Sequence, residues 1–371
     1  MKLIIKKEKL LENLTNTSKA ISSKNLIPIL VGIKFDLKED GLYLSASDTD
    51  LSIQTFIPQS DIESIEELGS IVINGKYIVE IIRKLPNGNI SIEVNDGYKM
   101  VIKNENSEFN LNGIDPEEFP NLYLELQKEP IVLNTQTVKN LVNQTFFATS
   151  TNEARPLLTG INFKINSTLL EVIATDSYRL AKKNIDIDTT VDNDINIVIP
   201  ARNLMELSKV LLDDKKNIEM HIFNNKVLFK YKNILFQSRL LNGTYPATSN
   251  IIPTTFKISC ELDLSNLYNM IDRASLLTSD RDKNIVKLTI KDRMLVISSN
   301  SPEIGKVEEK EAIECVDEIA ISFSSKYMLD ALKSFTTKKV TINMINDSSP
   351  IIINSSEDSS LIQLILPIKT Y

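Results

Sequence analysis

One amphipathic pattern occurs three times in this chain, and it limits the possible folds more than any other feature. NGKYIVEIIRKL at residues 74–85 returns as PARNLMELSKVL at 200–211 and as SSKYMLDALKSF at 324–335. The apolar positions are Ile78, Ile81, Ile82 and Leu85, then Leu204, Leu207 and Leu211 with Ser208, then Met328, Ala331, Leu332 and Phe335. This i, i+3, i+4, i+7 spacing predicts three helices, each with one face toward a core. A cation stands two residues before each stripe and another seven further on: Lys76 and Arg83, Arg202 and Lys209, Lys326 and Lys333. Residues seven apart share a helix face, so both cations lie away from the stripe. Glu80, Glu206 and Asp330 follow the first cation by four, the spacing of a helical ion pair.

Each copy extends well beyond this helix. The first opens with a strand at 2–5, a helix over 6–21 and strands near 30–37 and 42–47. The second gives 131–133, a helix over 135–150, then strands at 160–165 and 169–175; the third gives 256–260, a helix over 264–277, 285–290 and 294–299. Each closing half carries a strand, the duplicated helix and three or four alternating strands. One copy therefore reads β-α-β-β-β twice, and equivalent columns recur about every 125 residues, a domain-sized period. The pattern lapses in the Pro- and acid-rich stretch 115–130 and the turn-rich stretch 242–255. The expectation is an α+β chain of three tandem domains, 1–122, 123–250 and 251–371.

Little in the sequence points to catalysis. His221 is the single histidine and lies in an alternating strand, where a structural role is expected. No Cys pair has zinc spacing, and neither GxxxxGK[ST] nor GxGxxG occurs. Each opening half ends in a small-small-polar triplet, Ala46-Ser47-Asp48, Ala174-Thr175-Asp176 and Ser298-Ser299-Asn300. A metal or acid–base site on that column would lose a group in the third copy, so Asp48 and Asp176 are read as turn caps. No catalytic residue, metal or cofactor is expected. Cys260 and Cys315 are expected as free thiols of a reducing compartment. The apolar run in MKLIIKKEKLL is too short for a secretory signal, and no later stretch would span a membrane, so a cytoplasmic location is expected.

The basic faces remain. The first helices add Lys6, Lys9 and Lys19, then Lys139, then Arg273. If each helix buries its stripe on its own repeat's sheet, all the cationic faces point into one layer. No aromatic residues are interleaved with them, and no base-reading motif occurs, so the surface suits duplex phosphates without sequence readout. Exposed ion contacts contribute only about 0–1 kcal/mol each, and the net charge is -7. A one-sided grip on DNA would be feeble, whereas a closed ring retains DNA without strong contacts. Two other readings stay open: a non-DNA scaffold or adaptor with solvated cationic faces, and a nucleotide-processing enzyme built on Asp48 and Asp176.

Over its whole length the chain resembles the bacterial replicative sliding clamps, the DNA polymerase III beta subunit family. The most specific pieces are LIPIL at 26–30, ATDSYRLA at 174–181, the Tyr-Pro of 242–246 and LPIKTY at 366–371. The resemblance implies a non-catalytic, head-to-tail homodimeric ring of DNA-clamp domains, with helices lining the hole and antiparallel sheets outside. It implies sequence-independent binding of double-stranded DNA, and partnership with the replicative polymerase, a clamp loader and other proteins bearing a clamp-binding motif. Carried over by position, Lys24, Lys76, Arg83, Arg155, Arg202 and Lys209 would face DNA; Lys326 and Lys333 join them on the column pattern. A partner-peptide cleft would use Leu158, Thr175, Ser177, Tyr178, Arg179, Leu180, Pro246, Ile251, Tyr327, Pro350, Leu364, Leu366, Pro367 and Ile368. Tyr178 stands where a His is common and Asn250 where some members have an Arg. The dimer contact would pair Tyr77 and Phe109 with Leu276 and Leu277 of a second copy.

Overall fold

The computed structural model describes residues 1–22, 27–126, 129–278 and 284–369. Among the described residues six α-helices form: α1 (Lys7–Thr17), α2 (Gly75–Lys84), α3 (Thr135–Thr145), α4 (Ala201–Val210), α5 (Leu264–Ser275) and α6 (Ser325–Lys333). The three duplicated ones are α2, α4 and α6. In α2 and α6, Ile78, Ile82, Met328, Ala331 and Leu332 are 2% exposed or less, and in α4 Leu204 and Leu207 are 1% exposed. Each large side chain so buried contributes about 1.5–3 kcal/mol. Asn74 caps α2 by accepting the Lys76 N–H at 3.1 Å. Pro86 ends it by forcing Leu85 into extended backbone (φ -61°, ψ 150°).

The first helix of each repeat stops earlier than its apolar periodicity predicts, at Thr17, Thr145 and Ser275 rather than near 21, 150 and 277. Side-chain hydroxyls are the physical reason. Thr17 Oγ1 donates to Asn13 O, Thr145 Oγ1 to Leu141 O and Ser275 Oγ to Asp272 O. Such bonds compete for the helical carbonyls and favour an end. Short 3₁₀ turns follow the first two, at Ser18–Ala20 and Phe146–Ala148.

By packing, the chain divides into two compact units, residues 1–136 with 202–240, and 137–201 with 241–371. The middle repeat thus gives most of its closing half to the first unit, and most of its opening half, with the strand Arg179–Pro200, to the second. In the first unit an eight-stranded sheet runs Ile131–Asn134, Asn217–Ile222, Lys226–Tyr231, Ile234–Arg239, Leu51–Pro58, Gly41–Ser47, Gly32–Lys38, Gly69–Asn74. A five-stranded sheet runs Ile62–Glu67, Lys2–Lys6, Asn89–Asn95, Lys99–Asn104, Ser107–Asn112. In the second unit a six-stranded sheet runs Gly160–Thr175, Arg179–Pro200, Leu361–Ile365, Ile351–Asn354, Lys339–Met344, Ile258–Asp263. Its companion runs Gly305–Ala312, Met294–Ser301, Ile285–Lys291, Ile319–Ser324. Every strand pairing among the described residues is antiparallel.

Two expectations are corrected. The sheets are not confined to single repeats: Ile234–Arg239 of the second pairs with Leu51–Pro58 of the first, and Leu361–Ile365 of the third with Arg179–Pro200 of the second. And the expected strands 160–165 and 169–175 are one strand, Gly160–Thr175, whose register shifts around Ser167, a residue at φ 51°.

Candidate functional site

Seven of the eight cations assigned to a DNA-facing surface fall on described residues, and all seven are exposed; Lys24 lies outside the described residues. Lys76 and Arg83 sit on α2, Arg202 and Lys209 on α4, Lys326 and Lys333 on α6, and Arg155 just before the 3₁₀ turn Pro156–Thr159. The acids of these helices do not form the expected i, i+4 pairs. Glu80 bonds Arg83 and Glu206 bonds Lys209 (2.7 Å), both three residues on. Asp330 leaves its helix and meets Arg179 at 2.7 Å. Lys76 and Lys326 have no ion pair among the described residues. Arg202 Nη2 lies 3.3 Å from Asp48, and Lys333 lies over the Tyr268 ring, whose hydroxyl raises its pKa.

The first-helix cations contribute less than expected. Lys6 meets Glu63 at 3.3 Å, Lys9 meets Asp61 at 3.0 Å, and Arg273 forks onto Glu309 at 3.0 and 2.7 Å. Lys19 is half-buried and donates to Lys209 O at 3.0 Å, in the last turn of α4, where a cation complements the helix dipole. Burial lowers its pKa. The carboxylates of the triplets are turn caps: Asp48 Oδ1 accepts the amides of Asp50 and Leu51, and Asp176 Oδ1 those of Tyr178 and Arg179. The residue after each, Thr49 and Ser177, takes φ of 81° and 80°. Asn300 makes no such turn; it continues a ladder opposite Lys306.

The residues assigned to a peptide cleft all belong to the second unit. Leu158, Leu180 and Leu364 enter one buried cluster with Ile173, Val198, Tyr245 and Ile352. Thr175 is 6% exposed; its hydroxyl donates to Arg179 O at 2.6 Å and accepts the Ser177 N–H at 3.2 Å. Ser177 Oγ also accepts from Arg155 at 3.2 Å, which draws Arg155 to this turn. The Arg179 guanidinium stacks 4.4 Å from the Tyr327 ring centroid. Around this buried floor Tyr178 (62%), Ile251 (46%) and Leu366 (38%) stand exposed. Leu366 N donates to Tyr178 O at 2.9 Å, and Ile368 N to Ser322 O at 2.7 Å, so backbone bonds hold the tail. Pro246 follows Tyr245 and is exposed, whereas Pro350 and Pro367 are partly buried. A buried apolar cluster bordered by exposed aromatic and aliphatic groups is the kind of surface an apolar peptide covers.

Sequence reasoning missed Tyr245 as a site residue. Its hydroxyl accepts the Thr175 N–H at 3.1 Å, and burial pushes its own pKa well above the ordinary tyrosine value. An aromatic residue before Pro in a linker was the available signal. The pairing of Asp330 with Arg179 was also missed, because the two lie 151 positions apart.

Of the residues assigned to a dimer contact, Tyr77 (58%), Phe109 (37%) and Leu276 (74%) are exposed and Leu277 is partly buried. Phe109 lies on Ser107–Asn112, the outermost strand of its sheet. Leu276 closes α5, which packs on Gly305–Ala312, the outermost strand of the four-stranded sheet. His221 is buried, with Nε2 3.3 Å from Glu219. Cys260 and Cys315 are free, and burial pushes the Cys260 thiol up to about 12. Among the described residues no helix is long and apolar enough to cross a membrane.

Comparison with known proteins gives a consistent family. Models of the N-terminal, central and C-terminal domains of the DNA polymerase III beta subunit match residues 1–123, 132–247 and 249–369. The beta sliding clamp of Bacillus subtilis (strain 168) is 43% identical over 378 residues and that of Staphylococcus aureus (strain Mu50 / ATCC 700699) 40% over 377, with all of each chain covered. The crystal structure of the Bacillus subtilis DNA polymerase sliding clamp superposes with a TM-score of 0.97 at 42% identity, again over all of both chains. With three clamp-domain matches in tandem and full-length relatives at 40% identity and above, this chain belongs to the DNA polymerase III beta subunit family, the beta sliding clamps.

Proposed function

We propose that two copies of this chain close head to tail into a ring around duplex DNA and hold the replicative polymerase there. The family is that of the accessory clamp subunit of DNA polymerase III, which is not itself catalytic. The observation that carries the ring reading is the repetition of two exposed cations at matched columns of α2, α4 and α6. Diffuse, weak phosphate contacts suit a lining that must slide. The repeats act as three domains, 1–122, 123–250 and 251–371. A clamp loader opens the ring, polymerase and other motif-bearing proteins dock in the cleft around Leu158, Leu180 and Leu364, and the setting is the cytoplasm.

The dimer reading rests on the two outermost strands, Ser107–Asn112 and Gly305–Ala312. Each has backbone groups on one side that no described strand pairs, and an exposed apolar residue nearby. Joined antiparallel, they extend one sheet into the next, a contact that can be opened again. The test is topological. Protein loaded on nicked circular DNA should remain bound and run off once the circle is cut. Equal loss from both forms would overturn the ring.

A further inference from the structure

The first unit carries a second version of the cleft, built on the same backbone with different chemistry. In the second unit Leu241 N donates to Val198 O at 2.9 Å, and Tyr245, 5% exposed, packs beside Leu158 ahead of Pro246. In the first, Ile114 N donates to Val72 O at 2.9 Å, and Phe119, 7% exposed, packs beside Leu30 ahead of Pro120. The Asp48 and Asp176 turns match in both hydrogen bonds and backbone. The strand pairings match as well: Ser52 lies opposite Gln237 where Leu180 lies opposite Leu364. Where the cleft has two leucines, this place has a hydroxyl and an amide.

The linker at Pro120–Tyr123 borders two open crevices over this sheet face, of about 890 and 570 Å³. The smaller is lined by Thr49, Ser52, Asn225, Lys226, Gln237 and Arg239, among others, with no carboxylate among the described residues of its lining. Gln237 Oε1 is buried there without a hydrogen-bond partner among the described residues. A buried acceptor in that state calls for a donor, which water supplies in the open crevice and a ligand N–H can replace. Lys226 Nζ is held by Tyr123 O at 2.7 Å, and among the described residues Arg239 pairs only with Asp50, at 3.6 Å and with both side chains above 60% exposed. That exposed pair holds the arginine weakly.

We propose that this crevice docks an extended acidic peptide segment of a partner protein. A backbone or side-chain N–H of the peptide satisfies Gln237 Oε1, and a carboxylate meets Lys226 and Arg239. The analogy rests on the reading of the second-unit residues as a peptide cleft; the orphaned acceptor and the cationic lining do not.

Two blocked hexapeptides, one rich in Asp and Asn and one rich in Leu and Phe, test it by NMR on the full-length protein. The acidic peptide should shift the side-chain amide signals of Gln237 and Asn225. Lys226→Gln with Arg239→Gln should weaken that binding about tenfold, the loss expected for charge-assisted hydrogen bonds. Arg239→Lys should retain most of it. Unshifted signals in the unmodified chain, or equal shifts from inorganic phosphate, would overturn the proposal, and neither depends on a variant folding. The apolar peptide reports separately. If it leaves the Leu180 and Leu364 methyl signals unmoved while the acidic one binds at Gln237, the cleft reading fails and this one stands.

Discussion

Arg179 Nη1 donates to Asp330 Oδ2 at 2.7 Å, while Nε of the same guanidinium donates to Asp176 Oδ2 at 3.0 Å. With its side chain 10% exposed, Arg179 binds the strand Arg179–Pro200 to α6 and lays its flat face on Tyr327. Asp330→Ala should cost the second unit about 1–3 kcal/mol, the range for removing a partner from a largely buried charged group. Arg179→Lys should also lose stability, since an ammonium cannot keep both the fork and the ring contact. Urea unfolding followed by probes in this unit measures both; an unchanged midpoint in Asp330→Ala would refute the tie.

The matched cations should not contribute equally to DNA retention. Glu80 and Glu206 offset Arg83 and Lys209, whereas Lys76 and Lys326 have no such partner among the described residues. Lys76→Ala with Lys326→Ala should flatten the salt dependence of binding by about 0.9 for each phosphate no longer neutralised. Glu80→Gln with Glu206→Gln should act in the opposite sense and strengthen retention. Binding of loaded protein to circular DNA across a salt series separates the two; the same sign of change in both variants would refute this account.

Acid should weaken the second unit partly through Glu171. Burial opposes its charge, but Lys182 at 2.5 Å and Lys164 at 3.4 Å outweigh burial and hold its pKa below the ordinary 4.5. A carboxyl depressed in the folded state favours folding above the unfolded pKa, and that contribution vanishes as pH falls through the folded one. Asp358, held low by Lys183 and Ser360 despite burial, adds in the same direction. Glu171→Gln should therefore narrow the stability difference between pH 6 and pH 3 (about the window these shifts define). Thermal unfolding at the two pH values gives the answer, and an unaltered difference would count against it.

An aspartate at the proposed subunit contact should separate the subunits. Leu276→Asp places a charge where a 74% exposed leucine closes α5, so the isolated chain has nothing to lose there. Gel filtration should show a monomer with intact far-UV circular dichroism. A dimer that persists in both Leu276→Asp and Phe109→Asp would place the contact elsewhere.

What the sequence reveals follows the range of the interactions. The stripe of α6 is local, so Met328, Ala331 and Leu332 could be assigned to the core by spacing alone. Asp48 and Asp176 could be read as caps because they bond amides two and three residues on. Pairing of Leu361–Ile365 with Arg179–Pro200 has no local mark, since any alternating strand can lie beside any other. The partners of Lys9 and Arg273 escaped for the same reason: Asp61 and Glu309 are neighbours through sheet pairing and packing. Helix ends were misjudged where apolar periodicity outlasted the hydroxyls that stop the helix.

Pairing between Arg179–Lys183 and Leu361–Ile365 also has a consequence on the ribosome. At about 5–20 residues per second, the earlier strand emerges roughly 10–40 s before the one that will cover it. During that wait the nascent chain presents a bare β edge beside Leu180, open to pairing with any other chain. Lys182 and Lys183 sit on that edge, and charge of this kind discourages such pairing. Before they ever anchor Glu171 and Asp358, these two lysines can guard the unfinished polypeptide against aggregation.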